Sequence, residues 1–298
     1  MREIEGIADG FGLGAADVFD YLHASILADP RAPADDGCTV IAATLPGGGA
    51  VVAKNRDYRA EHVAIQRVFH HVDPAWGGRE MLCVGSLGSP GNFSSGINSD
   101  GLAVADTHVS TTDHGTGMHR FFLLTWLLAH AATVEAALAA IRSMPHAGGG
   151  VLALGDAAGA VAAVELGHRA SEIEHAAAGR IGRTNHFVGA ATAGPCADAG
   201  DGDGRANSIA RLDHLRRALD ADPPATADAS AAILSRHAAA GAPALCRHGG
   251  DDLSSTISSH VYDTRTRTLV YSGAQPCHGV WQRHGFGARA GASPGDPS

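Results

Sequence analysis

Basic residues are scarce in this sequence. Its 298 residues include 22 lysines and arginines against 31 aspartates and glutamates, which gives a formal net charge of −9 with histidine counted neutral. A protein that binds a phosphate backbone normally presents a basic face or stripe. The nearest feature is the pair Arg216 and Arg217, which is more typical of a solvated helix face. We therefore expect no nucleic-acid partner.

Long apolar runs are absent as well. The most apolar stretch, residues 121–141, is interrupted by His130, Thr133 and Glu135, so it predicts an amphipathic core helix and not a membrane span. The first residues also lack the basic start and apolar core of an export signal. These absences predict a cytoplasmic protein with no membrane partner.

Cysteines are few and irregularly spaced. Disulfide frameworks and zinc clusters use even or regularly spaced sets, so we expect neither here, and we expect no metal or other cofactor. In a reducing compartment, at least one thiol is then available for chemistry. The five positions are Cys38, Cys83, Cys196, Cys246 and Cys277.

Short β-like runs occur in pairs around glycine-rich turns, and helical patterns separate the pairs. This order, without strict β-α-β alternation, predicts an α+β fold with antiparallel sheets covered by helices. The expected hairpins pair residues 38–44 with 50–57, 93–97 with 102–106, 151–154 with 160–165, and 256–262 with 268–272. The expected helices are 15–29, 119–143, 205–221 and 226–240.

Residues 1–298 show no boundary between two domains, and we expect a single domain. Glycine, alanine and aspartate dominate residues 188–204, which predicts a flexible loop. The polar, glycine-rich residues 285–298 predict a disordered tail.

The dipeptide Gly37-Cys38 begins the first expected hairpin. A cysteine in this position is often an ordinary buried thiol. The functional interpretation is self-cleavage of the Gly37–Cys38 bond, because glycine leaves the carbonyl uncrowded for attack by the neighbouring thiol. Cleavage would free the α-amino group of Cys38. That amine, with a pKa near 7.7–8.0, can take the thiol proton, so one residue supplies both nucleophile and base.

Four further residues are candidates for the same site, and each also fits an ordinary structural role. Asp57 returns near Cys38 when the hairpin pairs, but it also fits a strand-end charge cluster. Asn98 and Asn185 could donate to an oxyanion, although both also fit turn or capping positions. Arg211 follows the pattern of a solvated helix residue.

Two other chemistries remain open from the residues alone. Three histidines in one region could bind a metal for hydrolysis, but their spacing matches no ligand motif. A papain-like pair could use Cys246 or Cys277, but no local signature supports it. The three histidines are His108, His114 and His119.

Seven short motifs together resemble the acyl-coenzyme A:6-aminopenicillanic acid acyltransferase family, the isopenicillin-N acyltransferase-like peptidases of family C45. This family belongs to the N-terminal-nucleophile hydrolases and is related to the choloylglycine hydrolases. The motifs occur in the family's order, and the similarity runs from the N-terminus to about residue 280. They are Glu5-Gly-Ile-Ala-Asp-Gly, Gly37-Cys-Thr, Asn55-Arg-Asp-Tyr, Gly96-Ile-Asn-Ser-Asp-Gly-Leu, Thr184-Asn-His-Phe, Ser208-Ile-Ala-Arg and Cys246-Arg-His.

The resemblance implies a four-layer αββα sandwich that cleaves itself into a small α chain, residues 1–37, and a β chain, residues 38–298. It also implies acyl transfer through a thioester on Cys38. Matched to the family motifs, Asp57 lies near the new amino terminus, Asn185 is the oxyanion-hole asparagine, Asn98 is a second site asparagine, and Arg211 is a site arginine. Choloylglycine hydrolases carry an arginine where this chain has lysine, at Lys54, which argues against bile-salt specificity.

The leading hypothesis is therefore an autoprocessed amidohydrolase or acyltransferase acting on a small acylated amine or amino-acid-like metabolite. Its partners would be a small-molecule acyl donor and either water or an amine as acceptor. The alternative is an uncleaved member of the fold that binds such a metabolite without turnover. The sequence leaves the oligomeric state open, so a homo-oligomer is compatible with it.

Overall fold

Two antiparallel sheets face each other at the centre of the protein. The computed structural model describes residues 2–27, 37–91, 94–194, 196, 202–239, 243–250 and 253–287. Within these residues, the first sheet has seven strands. In spatial order they are β10 (Arg180–Arg183), β1 (Thr39–Thr44), β2 (Ala50–Tyr58), β12 (Leu253–Asp263), β13 (Thr268–Ser272) and β14 (Gln282–Gly285), with β11 (His248–Gly250) pairing with β12.

The second sheet follows the order of the chain. Each of its strands pairs with the next in sequence, as consecutive strands commonly do, even where helices α3 (Arg120–His130) and α4 (Val134–Arg142) lie between two of them. Its seven strands are β3 (Gln66–Val72), β4 (Glu80–Ser86), β5 (Ser95–Asn98), β6 (Ala103–His108), β7 (Gly150–Gly155), β8 (Val161–Leu166) and β9 (Ser171–His175).

Helices cover the outer face of each sheet. The α-helices are α1 (Arg2–Phe11), α2 (Ala15–Leu27), α3 (Arg120–His130), α4 (Val134–Arg142), α5 (Ala190–Ala193), α6 (Gly202–Ala221) and α7 (Ala227–Leu234). Three short 3-10 helices complete the elements: η1 (Ala60–Ile65), η2 (Pro74–Trp76) and η3 (Pro276–His278). No helix in the described part of the chain is long and apolar enough to cross a membrane.

Alternation along strand β1 explains the layering. Val40 and Ala42 pack between the sheets, whereas Ile41 and Ala43 pack outward with side chains from α6 and α7. Successive strand residues point to opposite faces, so a strand that is apolar at every position must be covered on both sides. Helices α3 and α4 cover the second sheet in the same way. These layers confirm the predicted α+β sandwich.

The four predicted hairpins are confirmed, but several element boundaries differ. The predicted helix 119–143 is two helices, because Ala131 is extended and the Thr133 side chain caps α4 by accepting from the Ala136 amide. The predicted helix 226–240 ends at Leu234. The sequence patterns did not predict helix α1 or strands β3 and β9.

The two segments predicted to be flexible fall partly on described residues. Helix α5 lies inside the predicted loop 188–204, and helix α6 begins at Gly202. Strand β14 continues to Gly285, the first residue of the predicted tail. Residues 195, 197–201 and 288–298, which make up the rest of both segments, lie outside the described residues.

Candidate active site

The pairing of strands β1 and β2 brings Gly37 and Cys38 opposite Asp57. Thr39 pairs with Asn55 and Val40 with Lys54. Continuing this antiparallel register by two residues places Gly37 across from Asp57. Both Gly37 and Cys38 are buried, and Cys38 is 6% exposed.

Arg211 connects Cys38 to Asn185. Its Nη1 donates to the carbonyl oxygen of Cys38 at 2.8 Å and to Thr39 Oγ1 at 3.1 Å. Its Nη2 donates to Asn185 Oδ1 at 2.9 Å, and its Nε donates to Asn207 Oδ1 at 2.9 Å. The interpretation of Arg211 as a solvated helix residue is therefore wrong, because its side chain lies among the largest that are fully buried.

Burial lowers the pKa of Arg211 to about 10, against the opposing effect of Asp57. The guanidinium therefore still carries its charge at neutral pH. A fixed cation in a dry site stabilises any negative charge that develops near it more than it would in water.

Asn185 is held on three sides just after strand β10. Its backbone N–H donates to Ser208 Oγ at 2.8 Å, its Nδ2 donates to the His108 carbonyl oxygen at 2.9 Å, and its Oδ1 accepts from Arg211. The side chain amide is thus oriented by its partners and does not cap a helix. One of its two amide hydrogens is used by His108, and an amide nitrogen carries two.

Asp57 lies against the backbone of Gly37 in a fully buried position. Its Oδ1 accepts from Thr256 Oγ1 at 2.6 Å, and its Oδ2 has no hydrogen-bond partner among the described residues. Burial raises the pKa of Asp57 to about 6, although Arg247 and Arg211 act in the opposite direction. A buried carboxylate oxygen without a donor is costly, and it calls for a partner that the described residues of the uncleaved chain do not supply.

Arg247 also reaches this centre, and the sequence analysis did not single it out. A Cβ atom placed on Gly37 would lie 1.8 Å from Arg247 Nη1 and 3.1 Å from Asp57 Oδ2. Any residue other than glycine would therefore displace the guanidinium from the carboxylate. The available signal was the position of Arg247 in the middle of the Cys246-Arg-His motif.

The raised pKa of Asp57 predicts a pH-dependent stability for the uncleaved chain. Between its ordinary value of 3.8 and the value of about 6, the folded state holds a proton that the unfolded state has released. Stability should therefore rise as the pH falls through 6, with the full gain present below about 4. A difference of about two pKa units corresponds to about 3 kcal/mol.

The measurement is chemical unfolding of Cys38→Ala, which keeps the chain uncleaved, beside Cys38→Ala/Asp57→Asn. The free-energy difference between the two should change by up to about 3 kcal/mol from pH 7 to pH 4. Parallel pH curves for the two variants would show that Asp57 titrates normally.

Lys54 is the only lysine of the chain and lies on strand β2, three residues before Asp57. Its Nζ donates to Asp106 Oδ1 at 2.6 Å, and Arg120 Nε donates to Asp106 Oδ2 at 2.9 Å. Burial alone would raise the pKa of Asp106, but the two cations bring it below its ordinary value. The three groups form a buried ionic network, so Lys54 is engaged in the scaffold of the site.

Asn98 is the one predicted site residue that the structure does not bring to Cys38. Its Nδ2 donates to the carbonyl oxygens of Leu128 and Ala131 at 2.9 and 2.7 Å, and its Oδ1 accepts from the Leu102 amide at 2.9 Å. Every polar group of the amide is therefore used to hold the end of helix α3. We correct the prediction accordingly and assign Asn98 a structural position.

Replacing Asn98 by alanine should lower stability without lowering turnover. The change leaves three buried backbone groups without partners, and each such loss costs about 1–3 kcal/mol. We expect the free energy of unfolding to fall by about 3 kcal/mol in total, since the structure partly relaxes. Urea unfolding and steady-state kinetics on the same preparation test this, and a large fall in kcat with unchanged stability would return Asn98 to the active site.

The three loop histidines do not form a metal site together. His119 caps helix α3 by accepting from the Phe121 amide at 3.3 Å, and the ring of His114 contacts the carbonyl oxygen of Ala147 at 3.3 Å. His108 contacts Asn185 through its backbone carbonyl, so the identity of its side chain gave no signal for this role. Only its place near the end of a predicted strand could have indicated it.

Comparisons with known proteins agree with this architecture. Solved structures with similar folds include a mutant of conjugated bile acid hydrolase from Clostridium perfringens, with a TM-score of 0.55 and 15% identity over 84% of this chain and 92% of that one. Penicillin V acylase from Agrobacterium tumefaciens has a TM-score of 0.50 and 14% identity over 79% and 82%. An N-acylethanolamine-hydrolyzing acid amidase orthologue from Caenorhabditis elegans has a TM-score of 0.52 and 13% identity over 76% and 93%.

The sequence comparison is more specific. No curated protein matches the chain. The profile of the family described as acyl-coenzyme A:6-aminopenicillanic acid acyl-transferase matches residues 44–277, which is well over half of the chain. The protein therefore belongs to the acyl-coenzyme A:6-aminopenicillanic acid acyl-transferase family.

Proposed function

We propose that this chain is a cysteine N-terminal-nucleophile enzyme that cleaves itself and then hydrolyses or transfers an acyl group. The observation that carries the proposal is Arg211, whose single guanidinium bonds both the carbonyl of Cys38 and the side chain of Asn185. A nucleophile, a fixed cation and an oriented amide donor are the components of acyl transfer. Family membership supports the same class of chemistry.

Self-cleavage would begin with attack of Cys38 Sγ on the carbonyl carbon of Gly37. The C–N bond breaks, the nitrogen takes up the thiol proton, and a thioester joins Gly37 to Cys38. Water then hydrolyses the thioester, leaving a carboxylate on Gly37 and a free thiol and amine on Cys38. The position of Gly37 against Arg247 and Asp57 supports this step, because both charged groups lie beside the bond that breaks.

The freed α-amino group would supply the partner that Asp57 Oδ2 lacks among the residues that the structure describes. Cleavage creates an ammonium group on Cys38, one residue from the glycine that already lies against this oxygen. An adjacent cation favours the charged carboxylate, so the pKa of Asp57 would fall from about 6 towards its ordinary value. Asp57 would then hold and orient the amine.

In the turnover reaction, the amine accepts the thiol proton and the thiolate attacks the carbonyl carbon of the substrate. The second amide hydrogen of Asn185 Nδ2 stabilises the oxyanion that forms, and the leaving amine takes the proton that the α-ammonium group of Cys38 carries. The resulting thioester on Cys38 is then opened by water or by an acceptor amine. Both the covalent intermediate and the oxyanion donor are general features of acyl transfer.

We propose a small acylated amine or amino-acid-like metabolite as substrate. A conjugated bile acid, penicillin V and an N-acylethanolamine, which the structural relatives are named for, are all acylated amines. Lys54 stands where bile-salt hydrolases carry arginine, and its ion pair with Asp106 removes it from substrate contact. We also propose a reducing cytoplasm as the location, because five irregularly spaced cysteines do not suit a disulfide framework.

Trapping of the acyl-enzyme tests the function. The probes are aminocoumarin amides of phenylacetyl, octanoyl and palmitoyl groups, quenched in acid during turnover and analysed by peptide mass spectrometry. We expect the acyl mass on the peptide that begins with Cys38 and none in Cys38→Ala. Binding of the amides without any adduct or coumarin release would favour the uncleaved, non-catalytic alternative.

A further inference from the structure

Four potential metal ligands converge beside the candidate active site but are not part of it. They are His237, Cys246, His248 and Cys277, and their ligand atoms all lie within 4.8 Å of one another. His237 follows helix α7, Cys246 and His248 flank Arg247, and Cys277 lies in η3. Residues from two nearby segments, 237 and 246–248, thus meet Cys277, which lies about thirty residues further along the chain.

The three distances that converge on His248 Nε2 match the edges of a tetrahedral zinc site, and the four ligand atoms lie within 4.8 Å of one another. Cys246 Sγ and Cys277 Sγ lie 3.6 and 3.3 Å from His248 Nε2, and His237 Nε2 lies 3.2 Å from the same atom. Zinc bonds of about 2.3 Å to sulfur and about 2.0–2.1 Å to nitrogen, at tetrahedral angles, place sulfur and nitrogen about 3.5 Å apart and two nitrogens about 3.3 Å apart. The observed distances agree with these values.

The ligand chemistry selects the kind of ion. Two thiolates and two imidazoles contain no oxygen donor, which disfavours Mg²⁺ and Ca²⁺. Binding of one divalent ion would displace two thiol protons to solvent, and the two thiolates would then balance its charge. Four protein ligands leave no open position, which is typical of a structural and not a catalytic site.

We propose that these four residues bind one zinc ion, or a similar divalent transition metal, as a structural site. The ion cross-links the segment after helix α7, the start of β11 and η3. The proposal departs from our expectation that the cysteines form no zinc cluster, and it does not rest on the proposed function. Only Cys246 and His248 are close in sequence, so the spacing of the cysteines alone could not predict the site.

The proposed ion would hold Arg247 in place. Arg247 lies between two of the ligands, and its amide donates to Thr256 Oγ1, the hydroxyl that donates to Asp57. Its guanidinium lies against Gly37. Fixing Cys246 and His248 would therefore fix the backbone of a residue that contacts the bond expected to break.

Metal analysis of the full chain, purified under reducing conditions, tests the proposal. The wild-type protein and the variants His237→Ala and Cys277→Ser are dialysed against Zn²⁺, desalted and analysed for metal by mass spectrometry. We expect about one zinc per wild-type chain. Removing the hydrogen-bond partner of a metal ligand typically weakens metal binding by roughly 10- to 100-fold. Removing the ligand itself should weaken zinc binding by more than this.

Two controls separate the site from other thiols and histidines. Cys38→Ala should retain the zinc, because the candidate nucleophile is not a ligand, and His175→Ala should retain it as an exposed histidine outside the cluster. Replacing Zn²⁺ by Co²⁺ should give the strong visible absorption of a tetrahedral, thiolate-bound ion. Since His237 is exposed, its variant should fold even where Cys277→Ser does not.

Three results would overturn the proposal. One is a wild-type chain that binds neither Zn²⁺ nor Co²⁺ although its thiols are reduced. A second is full metal content in both ligand variants. The third is a Cys246–Cys277 disulfide, seen as the loss of two hydrogen masses, in protein purified under reducing conditions.

Discussion

Replacement of Cys38 by alanine should abolish acyl turnover. The thiol sulfur is the only protein atom of the proposed mechanism that forms a covalent bond to the substrate. The amine that activates it belongs to the same residue. In another acyl-transfer enzyme, removal of the nucleophile costs about 10⁶-fold in kcat. We expect a loss of this order, measured as coumarin release from the acyl amides described above.

Two comparisons make the result specific to Cys38. Cys38→Ser retains a nucleophilic atom and should keep a small residual activity, whereas Cys196→Ala removes a different buried thiol, one that contacts the Ala170 carbonyl oxygen, and should keep nearly all of it. Turnover by Cys38→Ala within about tenfold of wild type, well above the residual level of a site without its nucleophile, would exclude the thiol mechanism.

Asn185→Ala should lower kcat by about 10²- to 10³-fold, the usual effect of removing one oxyanion donor. The side chain is oriented by Arg211 and by the His108 carbonyl, which leaves one amide hydrogen for the oxyanion. Since the oxyanion exists only in the transition state and intermediate, KM should change much less than kcat. Kinetics on the cleaved, purified variant give both values.

The control must separate loss of the donor from loosening of Arg211. Asn207 also accepts a hydrogen bond from Arg211, at 2.9 Å from Nε, and it is exposed. Asn207→Ala therefore removes a comparable contact without removing an oxyanion donor. If both variants lost activity equally, the role of Asn185 would be to position Arg211 and not to stabilise the oxyanion.

The fold could be predicted well because its local signals agree with its tertiary structure. Glycine-rich turns between apolar runs identified the hairpins that build both sheets. The predictions failed where a contact from elsewhere decides the geometry. Thr133 caps a new helix inside one apolar stretch, and Asp156 Oδ2 accepts from the Val134 amide at its start.

The site residues divide in the same way, into those placed by local pairing and those placed by contacts from distant parts of the chain. Cys38 directly precedes β1 and Asp57 lies on β2, its partner strand across a short turn, so pairing alone predicts their proximity. Arg211 bonds the Cys38 carbonyl and Asn185 bonds Arg211, both from distant parts of the chain, and only the family resemblance grouped them with Cys38. Asn98 shows the limit of motif matching, because its motif is present while its amide is fully used in the scaffold.

The intact mass and N-terminal sequence of the purified wild-type protein test the central claim most directly. The account predicts two polypeptides, residues 1–37 and 38–298, with the larger one beginning at Cys38. The Cys38→Ala variant, prepared in the same way, should be a single uncleaved chain. A wild-type protein that remains one uncleaved chain, folded and stable, would contradict the claim that Cys38 becomes an N-terminal nucleophile.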